Sequence, residues 1–509
     1  MRAHLLLPFV LAGCTSDEKY IVVTIESRPA VRDVAKLRVT LSNAGSMRTE
    51  DLPLGSASFP ATFSISPEDR AGELGISVEA FDEDDGLVGR GASQSTIETP
   101  TASVLIEPTD FVVNTEYAND QQLSNYYAAS GLQLAAHPDG TWTTVYNGSC
   151  STPCNVFGRR FDATARPVVS AIAAGTPAFP LSTKLTTFFS VPAVAANATT
   201  TLAVWNARDS AAATYSIECR ALDASGNAAA AQKLISADEF PDVVSATALP
   251  NGNFVVAWDG RQGGVDLVRS AVVRPDCTAM GAISAVTPSV AGALPGRGHV
   301  AANATTILYA WTLSNSVRVR AANLSNVFAG PDTELLAKTA TEHIEFVRVA
   351  PLGAGFAVIA RWAQITGATG PGRLELYRVS NTGTVMGPPV LISERSGSDF
   401  ASSEAFGVAP GRDGSLLVVW HACLEKGDGS GCGVFGRLMD PSGAPLGPEL
   451  VIPTTTADDQ HRPSAVSLPD GAFAVAWTDR STAAPDSSGT AVRARIIYPA
   501  AGDATGLQP

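Results

Sequence analysis

An all-β chain, a small β-sandwich followed by a seven-bladed β-propeller of four-stranded blades, is predicted by three observations. One phrase recurs seven times between residues 140 and 480: a turn, a β-run ending in an aromatic, and a polar loop. The aromatics that end these runs, Tyr146, Trp205, Trp258, Trp311, Trp362, Trp420 and Trp477, stand 51 to 59 residues apart. A fixed period of that size, built only from short strands and turns, belongs to a closed ring of blades. Residues 20–107 lack the phrase but carry apolar alternation broken at Gly, Pro and Asp, which reads as a separate strand domain.

The chain opens with Met1-Arg2-Ala3-His4, an apolar run over residues 5–10, and Leu11-Ala12-Gly13-Cys14. The run is too short to span a bilayer. This ending resembles the lipobox of bacterial lipoproteins, in which small residues precede a cysteine that becomes the lipidated N-terminus. The resemblance implies that residues 1–14 are a lipoprotein signal peptide with Cys14 lipidated, and that 15–19 form a polar tether. With Thr15 rather than Asp after the cysteine, it implies the outer membrane of a Gram-negative bacterium, with the chain on the periplasmic side or the cell surface.

Within residues 20–107, runs at 20–25, 37–41, 61–65, 74–81 and 102–106 alternate apolar with polar residues. Five to seven short strands in this length suggest an immunoglobulin-like β-sandwich. No internal Cys pair or core Trp marks it further. Directly after a lipid anchor, such a domain would hold the rest of the chain away from the membrane. Its cluster Asp82-Glu83-Asp84-Asp85-Gly86 lacks the alternating acidic order of a calcium loop and reads as a solvated connection.

The propeller is placed at residues 108–498, with 499–509 as a Gly/Ala-containing tail. In the sixth repeat, 404–410 reads as the innermost strand, 416–420 as the second, 434–439 as the third and 448–452 as the outermost. The turn Asp440-Pro-Ser-Gly443 joins the last two, its Asp supplying a local hydrogen bond and its Gly the positive φ. Residues 222–226 and 379–383 repeat that turn. Alternate residues of each second strand face a neighbouring blade, so the recurring aromatic fills the wedge between blades. The ring must close or it exposes a strand edge. The segment 109–114 matches the outermost strands in pattern and is expected to complete the seventh blade.

Composition agrees: 45% hydrophobic and 17% charged residues describe a folded, strand-rich chain. A net charge of −14 without a dense Lys/Arg run makes nucleic acid and anionic membrane surfaces poor candidate partners, and no nucleic-acid partner is expected. Cys150 with Cys154, and Cys423 with Cys432, stand at matching places in two repeats, each pair followed by Val-Phe-Gly-Arg. Disulfides fit better than a metal, since His421 near one pair has no counterpart at the other. Cys219 and Cys277 remain and are paired by elimination.

Propeller ligands usually bind over the central channel, where loops enter the innermost strands and leave the second strands. The entering loops carry Asp238, Glu239, Arg297, His299, Glu342, His343, Asp458, Asp459, His461 and Arg462. The departing loops carry Asp259, Arg261, Asp479 and Arg480, with His421 in the sixth repeat. The candidate binding residues are Asp259, Arg261, Asp459, His461, Arg462, Asp479 and Arg480. An acidic pair there could serve acid–base chemistry at a glycosidic bond, and His461 beside Asp459 could act as a base. Solvated loops closed by Asp–Arg pairs are the bland alternative.

No Gly-x-Ser-x-Gly elbow, phosphate loop, His-Glu-x-x-His helix, haem motif or sialidase-type Asp box occurs in the sequence. No catalytic residue, metal or cofactor is therefore assigned. The whole resembles secreted bacterial lipoproteins with a small β-sandwich and Pro-Asp-Gly-x-Phe-x-Val-x-Trp repeats, a resemblance that implies location and shape without a reaction. The expectation is a monomeric, lipid-anchored, non-enzymatic binding or scaffold module presenting its propeller to a glycan or an envelope protein. The alternative is a polysaccharide-active hydrolase or lyase with acidic residues at the channel mouth.

Overall fold

A computed structural model describes residues 3–5, 19–55, 57–114, 121–123, 133–148, 155–169, 178–182, 192–209, 214–227, 233–238, 241, 243–262, 264–287, 295–313, 316–337, 342–364, 372–396, 406–423, 427–487 and 489–499. These residues form strands and turns, with no helix among them. Cys14, Cys150 and Cys154 lie outside the described residues. The chain divides into two compact units, the first built on residues up to Phe111 and the second from Val112 onward.

The first unit holds β1 (Ala3–Leu5), β2 (Ile21–Ser27), β3 (Lys36–Asn43), β4 (Ser46–Pro53), β5 (Ala61–Ile65), β6 (Glu73–Phe81), β7 (Leu87–Thr96) and β8 (Thr101–Pro108). They form one curled sheet in the order β1-β5-β2-β8-β7-β6-β3-β4. Alternate side chains of β2, β3, β5, β6 and β8, among them Val23, Leu37, Phe63, Ile76 and Ile106, pack into a single core. That inward period of two is what the sequence alternation encodes. β4 and β7 carry no such run because their side chains are mostly exposed or half-buried.

The second unit is a seven-bladed propeller. Blades 2 to 6 are four-stranded antiparallel sheets in chain order. In blade 6 the strands are Phe406–Pro410, Leu416–Ala422, Gly433–Met439 and Pro445–Val451. In blade 1 two short segments, Gln121–Gln122 and Leu134–Ala136, share the inner side of Trp142–Gly148, and Pro167–Val168 and Ala178–Pro180 share the outer side of Asn155–Phe161. Blade 7 takes Gln460–Ser467, Phe473–Asp479 and Ala491–Ile497, and its fourth strand is β9 (Phe111–Val112). The Val113 amide donates to Val492 O at 2.7 Å and the Gln121 amide to Thr490 O at 2.8 Å, so the ring is closed by its own N-terminal segment.

The recurring aromatics fill the seams between blades. Trp205 packs with blade 1 residues, Trp258 with blade 2, Trp311 with blade 3, Trp362 with blade 4, Trp420 with blade 5 and Trp477 with blade 6. The turns follow the expected chemistry. Asp440 Oδ1 accepts the Ser442 and Ala444 amides at 2.8 and 2.9 Å, and Gly443 takes φ +82°. A disulfide joins Cys219 of blade 2 to Cys277 in the third-to-fourth-strand turn of blade 3. A second, Cys423–Cys432, closes the hairpin between the second and third strands of blade 6.

Candidate functional site

Blade 7's innermost strand begins at Gln460 and carries a bulge between His461 and Ser464. A bulge adds an unpaired residue and re-aims its neighbours. Here Arg462 takes φ +55°, and Asp458 (φ 54°) and Thr482 (φ 50°) flank it with the same left-handed geometry. Non-glycine residues held in that region cost of order 1 kcal/mol or more each and gather at functional sites.

The hairpin of blade 6 fixes the segment just before this strand. The Gln460 amide donates to Cys432 O at 2.7 Å, and the Cys432 amide donates to Asp459 Oδ1 at 3.0 Å. The Arg480 amide closes the other side, donating to Asp459 O at 2.9 Å. Gly431, at φ +127°, lies so close that a Cβ there would sit 2.6 Å from Asp459 Oδ1. One carboxylate oxygen of Asp459 is thus anchored, and the other lies 4.0 Å from His461 Nε2 and 3.8 Å from Arg480 Nη1. Asp459 and Arg480 are partly exposed, whereas the His461 side chain is only 10% exposed.

Neither ring nitrogen of His461 makes a hydrogen bond. The ring stands edge-on to His421 at a centroid distance of 5.8 Å. Burial first, then the nearby Arg480 charge, hold the His461 pKa at about 4, against an upward pull from Asp459, with Arg462 adding a smaller push down. The imidazole is therefore neutral at pH 7, and its contact with Asp459 is not an ion pair there. His421 is fully buried and shifted in the same direction by burial, with His461, Arg361 and Arg462 adding to the shift.

A second carboxyl belongs to this place. Asp428 sits on the Cys423–Cys432 hairpin, its Oδ1 accepting the Ser430 amide at 3.2 Å while its Oδ2 is buried without a hydrogen bond. Burial pushes the Asp428 carboxyl above its ordinary pKa, the Ser430 amide opposes this, and the Asp459 charge adds to the rise. A carboxyl raised in pKa beside a second carboxyl is a pattern found in acid–base pairs. The sequence reading passed over Asp428. The available sign was its place between paired cysteines that match a second cysteine pair.

The other candidates divide plainly. Asp459, His461, Arg462 and Arg480 come together at the start of blade 7. Asp479 is buried beside them, but its Oδ2 accepts from Arg493 Nε at 2.9 Å and Ser481 Oγ at 2.5 Å, which makes it a hairpin-closing group. Asp259 lies in blade 3, where its Oδ1 accepts the Gly298 amide at 2.7 Å and ties blade 3 to blade 4. Arg261 pairs with Asp266 across the same hairpin at 3.1 Å. His299 is buried and its Nδ1 accepts the Val349 amide at 3.3 Å, joining blades 4 and 5. Glu239, and the side chains of Asp238, Arg297, Glu342 and His343, lie outside the described residues. Among the described residues no group of three His, Cys, Asp or Glu side chains is arranged to hold a metal ion.

No protein-family model matches the chain, and no curated protein does. Solved structures do. A glycosyl hydrolase from Bacteroides ovatus aligns with TM-score 0.30 and 10% identity over 55% of this chain and 94% of its own. A GH43 endo-arabinanase from Bacillus licheniformis aligns with TM-score 0.29 and 10% identity over 50% and 95%. The polysaccharide lyase Uly1 aligns with TM-score 0.45 and 7% identity over 75% and 92%. At such identities the likeness is one of fold alone. The expectation of a non-enzymatic binding or scaffold module is corrected in favour of its alternative. Several of the matched structures are described as glycoside hydrolases or arabinanases, the class named in that alternative.

Proposed function

We propose that this chain is a polysaccharide-active hydrolase or lyase whose site is the mouth between blades 6 and 7. The carrying observation is the convergence of His461 and Arg480 on one oxygen of Asp459, at 4.0 and 3.8 Å, while the other oxygen is fixed by the Cys432 amide. A carboxylate oriented in this way can move a proton at a glycosidic bond or beside it. Arg480, half-exposed, offers charge to a substrate oxygen or carboxylate, and the neutral imidazole of His461 can relay a proton to Asp459.

The test is a polysaccharide and peptidoglycan panel incubated with protein beginning after Cys14, scored for new reducing ends and for unsaturated products. Either product supports the reading, and Asp459→Asn is then expected to lower turnover by two orders of magnitude or more. Absence of both products across the panel refutes it.

The sequence supports a setting for this activity. The first unit is proposed as an immunoglobulin-like spacer, with Cys14 as the lipidated residue and the outer membrane of a Gram-negative bacterium as the address. The protein acts there as a monomer on an envelope or environmental glycan, without nucleic acid as a partner. Cys14→Ser would leave the precursor uncleaved and unlipidated, and a lipidated product from that variant would refute the anchor.

A further inference from the structure

We infer that Asp428 and Asp459 form the working carboxyl pair of a glycoside hydrolase, with the disulfide-closed hairpin Cys423–Cys432 carrying the first and anchoring the second. This rests on the proposed polysaccharide activity and narrows it from hydrolase or lyase to hydrolase.

Three independent features meet on the hairpin. Its closing disulfide holds strand ends whose Cα atoms stand 3.9 Å apart. Its backbone grips Asp459: the Cys432 amide binds Oδ1, Ser430 Oγ accepts the Asp458 amide at 3.2 Å, and Gly431 leaves room for the carboxylate that no Cβ would leave. Asp428 lies against the inside of the same loop, where a Cβ on Gly433 would meet its Cβ at 2.7 Å. Its outer oxygen is buried and makes no hydrogen bond. A structural Asp would be expected to use that oxygen, since a buried, unsatisfied carboxylate oxygen is costly. Beside the pair, His461 is nine-tenths buried with both ring nitrogens unbonded and Nε2 turned to Asp459.

The chemistry divides between the two acids. Asp428, protonated, gives its proton to the glycosidic oxygen as the C1–O bond breaks. A water oxygen forms the new bond to C1, and the Asp459 carboxylate takes the water's proton. One water is consumed, two hydroxyl products leave, and the pair resets when Asp459 passes a proton to solvent and Asp428 regains one. Burial and the Asp459 charge move Asp428 in the direction a general acid needs.

The experiment has two arms on the intact protein. In the first, carboxyl 13C resonances are titrated in the free protein. Asp428 is expected to titrate above the ordinary Asp range, and Asp459→Asn should move it down by removing the like charge. An Asp428 that ignores Asp459→Asn overturns the pair without reference to any substrate. In the second, Asp428→Asn, which keeps the Ser430 acceptor, is assayed on whichever polysaccharide the wild type cleaves. A fall in kcat of a hundredfold or more, with KM within a few-fold and the basic limb of the pH profile lost, supports the role. Unchanged kcat, or an unsaturated product from wild type, overturns it while leaving the broader reading in place. If the wild type releases nothing, the broader reading fails and the titration alone decides whether the pair exists.

Discussion

Arg437, on the third strand of blade 6, donates through Nη1 to the Ile392 carbonyl on the outermost strand of blade 5 at 2.9 Å. The same staple recurs around the ring. Arg220 reaches Pro180 O at 3.2 Å, Arg320 reaches Val286 O at 2.9 Å, and Arg495 reaches Ile452 O at 2.9 Å. In each case an arginine on a third strand satisfies a carbonyl at the outer edge of the preceding blade. Arg437 also donates through Nε to Gly447 O at 3.2 Å, so one planar group serves two blades. Arg437→Met should keep the aliphatic stem and lose both bonds, costing about 1–3 kcal/mol. Arg437→Lys should recover only part of this, because one ammonium cannot hold both directions. Urea unfolding midpoints of the three proteins check the order.

The seams depend on the recurring aromatics as much as on these arginines. Trp477 is fully buried and sits with Leu417, Val419 and Ile452 of blade 6. Trp477→Ala should cost about 3–5 kcal/mol by leaving a cavity in the seam. Trp477→Phe should cost less, since the ring still spans the blades. If calorimetry finds Trp477→Ala no less stable than wild type, the indole does not carry the packing assigned to it.

The same contrast explains what could be read in the sequence. Blade number, ring closure by 109–114 and the turns at Asp440 and Gly443 were legible, because period, alternation and positive-φ positions are local properties of the chain. So was the Cys423–Cys432 pair, through its nine-residue separation and repeated context. The site was legible only as a zone. Asp479 and Asp459 look alike in sequence, yet Arg493 and Ser481 engage one while the Cys432 amide orients the other. Which acid is engaged depends on residues in adjacent hairpins and blades, and no periodic pattern records it. Asp428 was missed for the same reason, since its surroundings are set by the Ser430 amide and by Asp459 at the start of the next blade.

Acid should weaken the fold through its buried imidazoles. His461 and His137 are each held at about 4 from an ordinary 6.5, burial being the leading cause in both. Around His461 the charged neighbours are Arg480, Asp459 and Arg462, with His421 alongside. The unfolded chain therefore binds more protons than the native one between about pH 6.5 and 4. Stability falls as pH drops through that window and levels off below it. The loss from pH 7 to pH 4.5 is about 2 kcal/mol for each such imidazole. His461→Gln should reduce the difference between the urea stabilities at those two pH values by that amount, and His137→Gln likewise. An unaltered pH dependence in both variants would mean that the rings titrate alike in the native and unfolded states.

The two disulfides should rank in opposite orders for stability and for activity. Cys219–Cys277 spans 58 residues and Cys423–Cys432 only nine. By loop entropy the first constrains the unfolded chain more, about 4 kcal/mol against about 3 kcal/mol. Replacing Cys219 and Cys277 with Ala should therefore lower the melting temperature further. Yet Cys219 and Cys277 lie in the seam of blades 2 and 3, whereas the Cys432 amide is the group that holds Asp459. Replacing Cys423 and Cys432 with Ala should loosen that hairpin. Hydrogen exchange at the Cys432 amide should then rise, and any glycan cleavage should fall at least tenfold at a temperature where both variants remain folded. Measured side by side, melting and turnover separate the two bonds. Equal loss of turnover in both variants would show that the hairpin holds nothing special at the mouth.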